Sequence, residues 1–137
     1  MTIRRFEDLE VWKNARELCK KIREIVNTTG LSKDFSLRDQ VLRSSGSVMD
    51  NIAEGFERDG KKEFIQFLYI SKGSLGETRS QVYRIFDSGY IKEAVSNELL
   101  AYCLNLSAQL SNFINYLYAT DIAGRKQQKA VSITKSK

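Results

Sequence analysis

The chain has 137 residues, 42% of them hydrophobic, with a net charge of +5, no Pro and no His. That length supports one domain with a real core, and the long stretches rich in Leu, Ile, Glu, Lys, Arg, Gln and Ala favour helix over sheet. Without His the commonest metal ligand and general base are missing, so neither a metal, a cofactor nor catalysis is expected.

The first helix is expected from about Phe6 to Thr28, where Leu9, Trp12, Ala15, Leu18, Cys19, Ile22, Ile25 and Val26 recur at three- and four-residue steps. Its other face is a mixed-charge solvent face, and Gly30 supplies a stop. Ser36 with Asp39 resembles a capping box opening the second helix, whose seam is Leu37, Val41, Ser45, Val48, Ile52 and Phe56 and which ends near Asp59-Gly60. The third helix starts at Lys61 or Lys62 and carries Phe64, Phe67, Leu68, Ser71, Leu75, Thr78, Val82 and Ile85 to about Ser88-Gly89, after which Tyr90 and Ile91 form an apolar plug. Ser96 is expected to cap the fourth helix, which holds Leu99, Cys103, Leu106, Leu110, Phe113 and Leu117 at heptad spacing. Cys19 and Cys103 fall on apolar phases, as reduced, buried residues would.

Four helices joined by short turns predict an all-α, antiparallel up-down-up-down four-helix bundle over residues 1–120, followed by a disordered basic tail over 121–137. No window approaches the roughly 18 apolar residues of a membrane span, and the N-terminus lacks a signal peptide's apolar run, so a cytoplasmic protein with no membrane partner is expected. Residues 121–137 hold five basic residues against one acidic, so four of the five net charges belong to the tail. In the up-down topology Arg4 and Arg5, the turn with Arg58, Lys61 and Lys62, and the chain end with Arg125, Lys126 and Lys129 lie at one pole. Glu7, Asp8, Glu57, Asp59 and Glu63 partly offset them.

Gly55-Phe56-Glu57-Arg58-Asp59-Gly60-Lys61-Lys62 approaches a phosphate-binding P-loop, but Lys62 replaces the magnesium-binding Ser or Thr, and a helix precedes it where a strand is required. Asp50, Glu54 and Glu57 form a carboxylate row at helical spacing that reads as a solvated or salt-bridged face. Arg43 to Arg58 is unusual for a helix because glycines and small polar residues occupy it, each glycine costing about 1 kcal/mol relative to Ala. A turn at Asp59-Gly60 sets Gly46 opposite Gly73 and Gly55 opposite Phe64, so close approach of the two backbones at Gly46 and Gly73 is expected. The same register brings Arg43 beside Glu77, either as a partly buried pair that fixes register or a subunit contact, or as two solvated side chains. Trp12 and most of the aromatic residues are core by phase, whereas Tyr69, Tyr83, Tyr90 and Tyr118 are candidates for a protein–protein interface.

Phe6-Glu7-Asp8-Leu9-Glu10-Val11-Trp12, the Asn51-Ile52-Ala53-Glu54-Gly55 block with Arg58, and Gly73-Ser74-Leu75 with Glu77 resemble the four-helix-bundle family encoded within 23S rRNA intervening sequences of bacteria. The likeness spans about residues 6–118. It departs from the family pattern before the second helix, where Asp34-Phe35 stands in place of Phe-Pro, and at Gly46, Met49 and Asp50. The resemblance implies a homo-oligomer of poorly defined function. Relatives include the pentameric accessory protein of diversity-generating retroelements, which works with a reverse transcriptase and nucleic acid. The expected function is a non-catalytic oligomeric accessory protein that binds RNA or DNA phosphates through the basic pole and tail. The alternative is a protein-interaction scaffold with no nucleic-acid role.

Overall fold

The computed structural model describes residues 3–120, and among these there are helices and turns but no strand. Helix α1 spans Glu10–Thr28, α2 Phe35–Glu57, α3 Lys61–Asp87 and α4 Glu93–Ala119, with short 3-10 turns at Phe6–Asp8 and Gly30–Lys33. Each helix packs against its chain neighbours and α4 returns to α1, as an antiparallel four-helix bundle requires; the α2–α3 contact is the most extensive and α1–α4 the slightest of these four. Most of the seam residues named from periodicity form one core, in which Leu18, Ile22, Ile52, Leu68, Ile85, Leu106 and Leu110 are fully buried, whereas Trp12, Phe64 and Cys19, expected to be buried, are half-buried.

Three helix starts differ from the sequence expectation, each because a side chain is used elsewhere. At the first, the amides of Asp8 and Leu9 bond back to Arg5 and Phe6, and α1 begins only after Leu9, whose side chain is committed to the core and offers no cap. Before α2 the cap is Asp34, not Ser36: its Oδ1 accepts from the Leu37 amide at 3.4 Å, while its Oδ2 accepts from the Tyr90 hydroxyl at 2.9 Å. Ser36 lies inside the first turn, where its hydroxyl accepts from the Gln40 amide. Asp34 thereby ties the start of α2 to the α3–α4 turn, and Ile91 is buried beneath that turn. Ser96 is likewise a buried residue inside α4, which begins at Glu93.

The turn between α2 and α3 falls at Gly60, whose φ of +118° is open to glycine and strained for other residues. The resulting register sets Val48 against Ser71, whose hydroxyl donates to the Val48 carbonyl at 2.7 Å. The close approach, however, is at Gly55 and not at Gly46 or Gly73. A Cβ on Gly55 would lie 2.6 Å from the Phe67 Cβ and 3.1 Å from the Phe64 ring, whereas one on Gly46 or Gly73 would meet nothing within 4 Å. The reason is helical phase: Gly55 faces α3 directly, whereas Gly46 is half-buried and Gly73 exposed on their helices.

Midway along the hairpin the small residues are joined by hydroxyls. Ser44 Oγ donates to Gln81 Oε1 at 2.6 Å and lies 2.8 Å from Thr78 Oγ1; Ser47 and Ser74 share a bond of 2.9 Å, and Asn51 Nδ2 donates to the Ser47 carbonyl at 2.8 Å. Ser44, Ser45, Ser71, Thr78 and Gln81 are all buried. Buried polar atoms need partners, so this ladder holds α2 and α3 in one register. Arg43 and Glu77 do meet, at 3.8 Å, but their side chains are 67% and 47% exposed, so the pair is the solvated one of the two expected forms. The register function envisaged for it belongs to the ladder beneath.

Candidate nucleic-acid interface

The polar end of the bundle is built from the Phe6–Asp8 turn, the α2–α3 turn and the last residues of α4. The Phe6–Asp8 turn packs on α2, and the contact of Cys19 with Ser45 and Met49 puts the start of α1 beside the end of α2. Lys61 Nζ donates to the Thr120 carbonyl at 2.7 Å, joining the α2–α3 turn to the end of α4. Arg4, Arg5, Arg58 and Lys62 are exposed at this end, while Lys61 is half-buried.

These cations are not equivalent. Arg58 donates to Glu54 Oε2 at 3.0 Å and lies over the Phe67 ring, 5.1 Å from its centroid, so it is already partly neutralised. Lys61 is engaged in capping the α4 carbonyl, an interaction favoured by the negative end of the helix dipole. Arg4, Arg5 and Lys62 remain the most available to an anion. Arg125, Lys126 and Lys129 of the expected basic tail lie outside the described residues.

A second set of groups lies along the outer edge of the α3–α4 seam. Lys62, Tyr69, Gly73, Gly76, Ser80 and Tyr83 follow one another at three-, four- and seven-residue steps on α3, and beside them Lys72 and Arg79 form a row one heptad apart. Tyr69, Tyr83 and Tyr118 are at least half exposed, and the Tyr69 and Tyr118 hydroxyls share a hydrogen bond across the two helices. That bond raises the Tyr69 phenol above its usual range. Lys72 Nζ donates to Ser111 Oγ at 2.8 Å. Helical phase separates Tyr69 and Tyr83 from the apolar seam and marks them as outward-facing; their neighbours on α4 could not be read from one helix at a time.

Both cysteine thiols are held in the protonated form. Burial raises the Cys19 thiol, with the Asp50 charge adding and the Ser45 hydrogen bond opposing, and burial pushes Cys103 up to about 11 against the opposing Arg79 charge. Thiols so held are poor nucleophiles. Among the described residues no three His, Cys, Asp or Glu side chains are grouped to hold a metal, and no helix is long and apolar enough to cross a membrane.

Fold and surface together define an all-α antiparallel four-helix bundle with a mixed but cation-bearing pole. The chain belongs to the 23S rRNA-intervening sequence protein family, whose pattern matches residues 7–112. A crystal structure of a protein of unknown function from the S23 ribosomal protein family of Bacteroides thetaiotaomicron is similar, with a TM-score of 0.69 and 23% identity, covering 76% of this chain and 97% of that one. At that identity the likeness concerns the fold alone. No curated protein matches the sequence.

Proposed function

We propose that the protein is a non-catalytic, oligomeric accessory protein that binds RNA or DNA phosphates through its basic pole and the residues that follow it. The observation that carries this reading is that Arg4, Arg5 and Lys62 are exposed at the end of the bundle where Lys61 joins the α2–α3 turn to the end of α4, after which the sequence holds five basic residues and one acidic. Phosphate contacts are the dominant, sequence-independent part of nucleic-acid affinity, and they need Lys and Arg in reach, not a shaped pocket. One pole with three available cations binds weakly. Repetition of the pole in a homo-oligomer multiplies such contacts, which is the use of assembly in this reading.

The test is a gel shift of the intact protein with RNA and DNA at low salt, repeated as salt rises. Binding that weakens steeply with salt, and weakens further when Arg5 and Lys62 are changed to Gln, is the expected result; no shift with either nucleic acid removes the proposal. A reverse transcriptase or another protein can then be sought as a partner by co-purification. The engagement of Arg58 and Lys61 within the fold favours the second reading, a protein-interaction scaffold with no nucleic-acid role, and that is what a negative gel shift leaves.

A further inference from the structure

Gly73 and Gly76 pose a question that the bundle itself does not answer. Each sits inside a 27-residue helix, where glycine costs about 1 kcal/mol relative to Ala, and a Cβ on either would meet nothing within 4 Å. No contact within the described residues explains them. Both lie on the exposed edge of the α3–α4 seam, between Tyr69 and Tyr83, beside the row of Lys72 and Arg79.

On the α4 side of this edge, between Lys62 and Tyr83, the charged residues are Lys72 and Arg79; the exposed Glu77 flanks Gly73 toward α2, and Asp87 follows one turn beyond Tyr83. Helix α4 carries no charged residue after Glu98. On α3, Glu77 pairs with Arg43 on the α2 side, and Glu63 shares that phase with Phe67, which touches Gly55 of α2. Between Lys62 and Tyr83 the edge presents cations, exposed phenol rings, the exposed Leu104 and uncharged hydrogen-bonding groups such as Ser80, Ser111 and Asn115. Lys72 donates one N–H to Ser111 and keeps two more for a ligand.

We infer that this edge is a binding surface for single-stranded RNA, with bases stacked on Tyr69, Tyr118 and Tyr83 and phosphates held by Lys62, Lys72 and Arg79. The inference rests on the nucleic-acid reading above and deepens it, because phosphate contacts at the pole make no distinction between single and double strands. Exposed rings do: every unpaired base has a face to stack, whereas the bases of a duplex are already stacked on one another. The glycines fit this use, since the missing side chains let a ligand approach the helix backbone between the rings. From Lys62 to Tyr83 the helix rises about 32 Å, long enough for a strand of several nucleotides. The hydroxyl and amide groups of Ser111 and Asn115 suit the ribose 2′-hydroxyl, the group by which RNA differs from DNA.

Fluorescence anisotropy of the full chain with a labelled mixed-sequence single-stranded RNA, the same sequence as DNA, and the RNA duplex tests this. Expected are tighter binding of single-stranded RNA than of the other two, a loss of about tenfold or more in each of Tyr69→Ala and Tyr118→Ala, and near-complete retention in Tyr69→Phe and Tyr118→Phe, which keep the ring. Lys72→Gln is expected to lower the salt dependence by roughly one phosphate contact. Circular dichroism melting checks that the variants fold, and Tyr69→Gln and Tyr118→Gln, polar replacements at half-exposed positions that also remove the ring, take the place of an Ala variant that does not. Equal affinity for duplex and single strand, or Tyr→Ala variants that bind as the wild type does, would overturn the inference while leaving the pole reading intact. Equal binding of DNA overturns the assignment to RNA. A fall in light-scattering mass in Tyr69→Ala or Tyr118→Ala means that the edge joins copies of the chain, and also overturns it. Absence of any nucleic-acid binding overturns both readings.

Discussion

Replacing Gly55 with Ala should destabilise the bundle, against the direction that helix propensity alone dictates. In a helix interior the change gains about 1 kcal/mol. At Gly55 the new Cβ would lie 2.6 Å from the Phe67 Cβ, roughly 1 Å inside an ordinary carbon–carbon contact. Neither atom can rotate away, because each is fixed to its backbone. The helices must separate, and the Phe64 ring, 3.1 Å from the new Cβ, must yield as well although it is held edge-on to Phe56 and Phe113 with centroids 5.8 and 5.6 Å away. Overpacking of this kind costs about 1–3 kcal/mol, and the fixed Cβ–Cβ clash belongs in the upper half of that range. The net expectation is a loss of about 1–2 kcal/mol for Gly55→Ala, against a gain of up to about 1 kcal/mol for Gly46→Ala or Gly73→Ala, where nothing lies within 4 Å. Urea unfolding followed by far-ultraviolet circular dichroism measures all three. If Gly55→Ala proves as stable as the wild type, the close-approach account is wrong.

Three further results are expected. A double-mutant cycle on Arg43→Ala and Glu77→Ala should give a coupling below about 0.5 kcal/mol, as for other exposed pairs, whereas Ser44→Ala alone should cost about 1–3 kcal/mol by leaving the buried Gln81 carbonyl oxygen without its donor. Asp34→Ala should cost about 1 kcal/mol or more through the lost cap and the lost Tyr90 bond, while Ser36→Ala stays within about 0.5 kcal/mol; thermal melts of the two variants compare them. Stability should also fall in alkali. The Cys103 thiol, ordinarily 9.0, is pushed up to about 11, so its contribution is complete below pH 9 and is lost as the unfolded chain deprotonates first between about pH 9 and 11, a fall of about 2–3 kcal/mol. Raised phenols at Tyr90 and Tyr102 act in the same direction from about pH 10. Urea midpoints against pH should show a flatter decline in Cys103→Ala; an unchanged slope would refute the assignment to that thiol.

Helix number, order and core were legible in the sequence because burial repeats at three- and four-residue steps within each helix, and that periodicity is local: Leu18, Ile52, Leu68 and Leu110 could each be placed from their own neighbours. The α2–α3 register was legible too, since a turn at Gly60 leaves an antiparallel pair few alternatives, and the family followed from blocks such as Asn51 to Gly55. What one helix cannot reveal is which way a small residue points relative to a second helix. Gly46, Gly55 and Gly73 are indistinguishable by propensity, and only the packed hairpin makes Gly55 the point of contact. Capping was misread for a related reason: Ser36 and Asp34 are both able caps, and Asp34 is selected because Tyr90, 56 residues away, holds its second oxygen. Tertiary structure likewise decided that Arg43 and Glu77 stay in solvent above a buried hydroxyl ladder, and that Lys61 closes α4 instead of standing free at the pole. Periodicity determines which face of a helix is buried. Partners, distances and the availability of a charge are set between helices, where residues far apart in the chain meet.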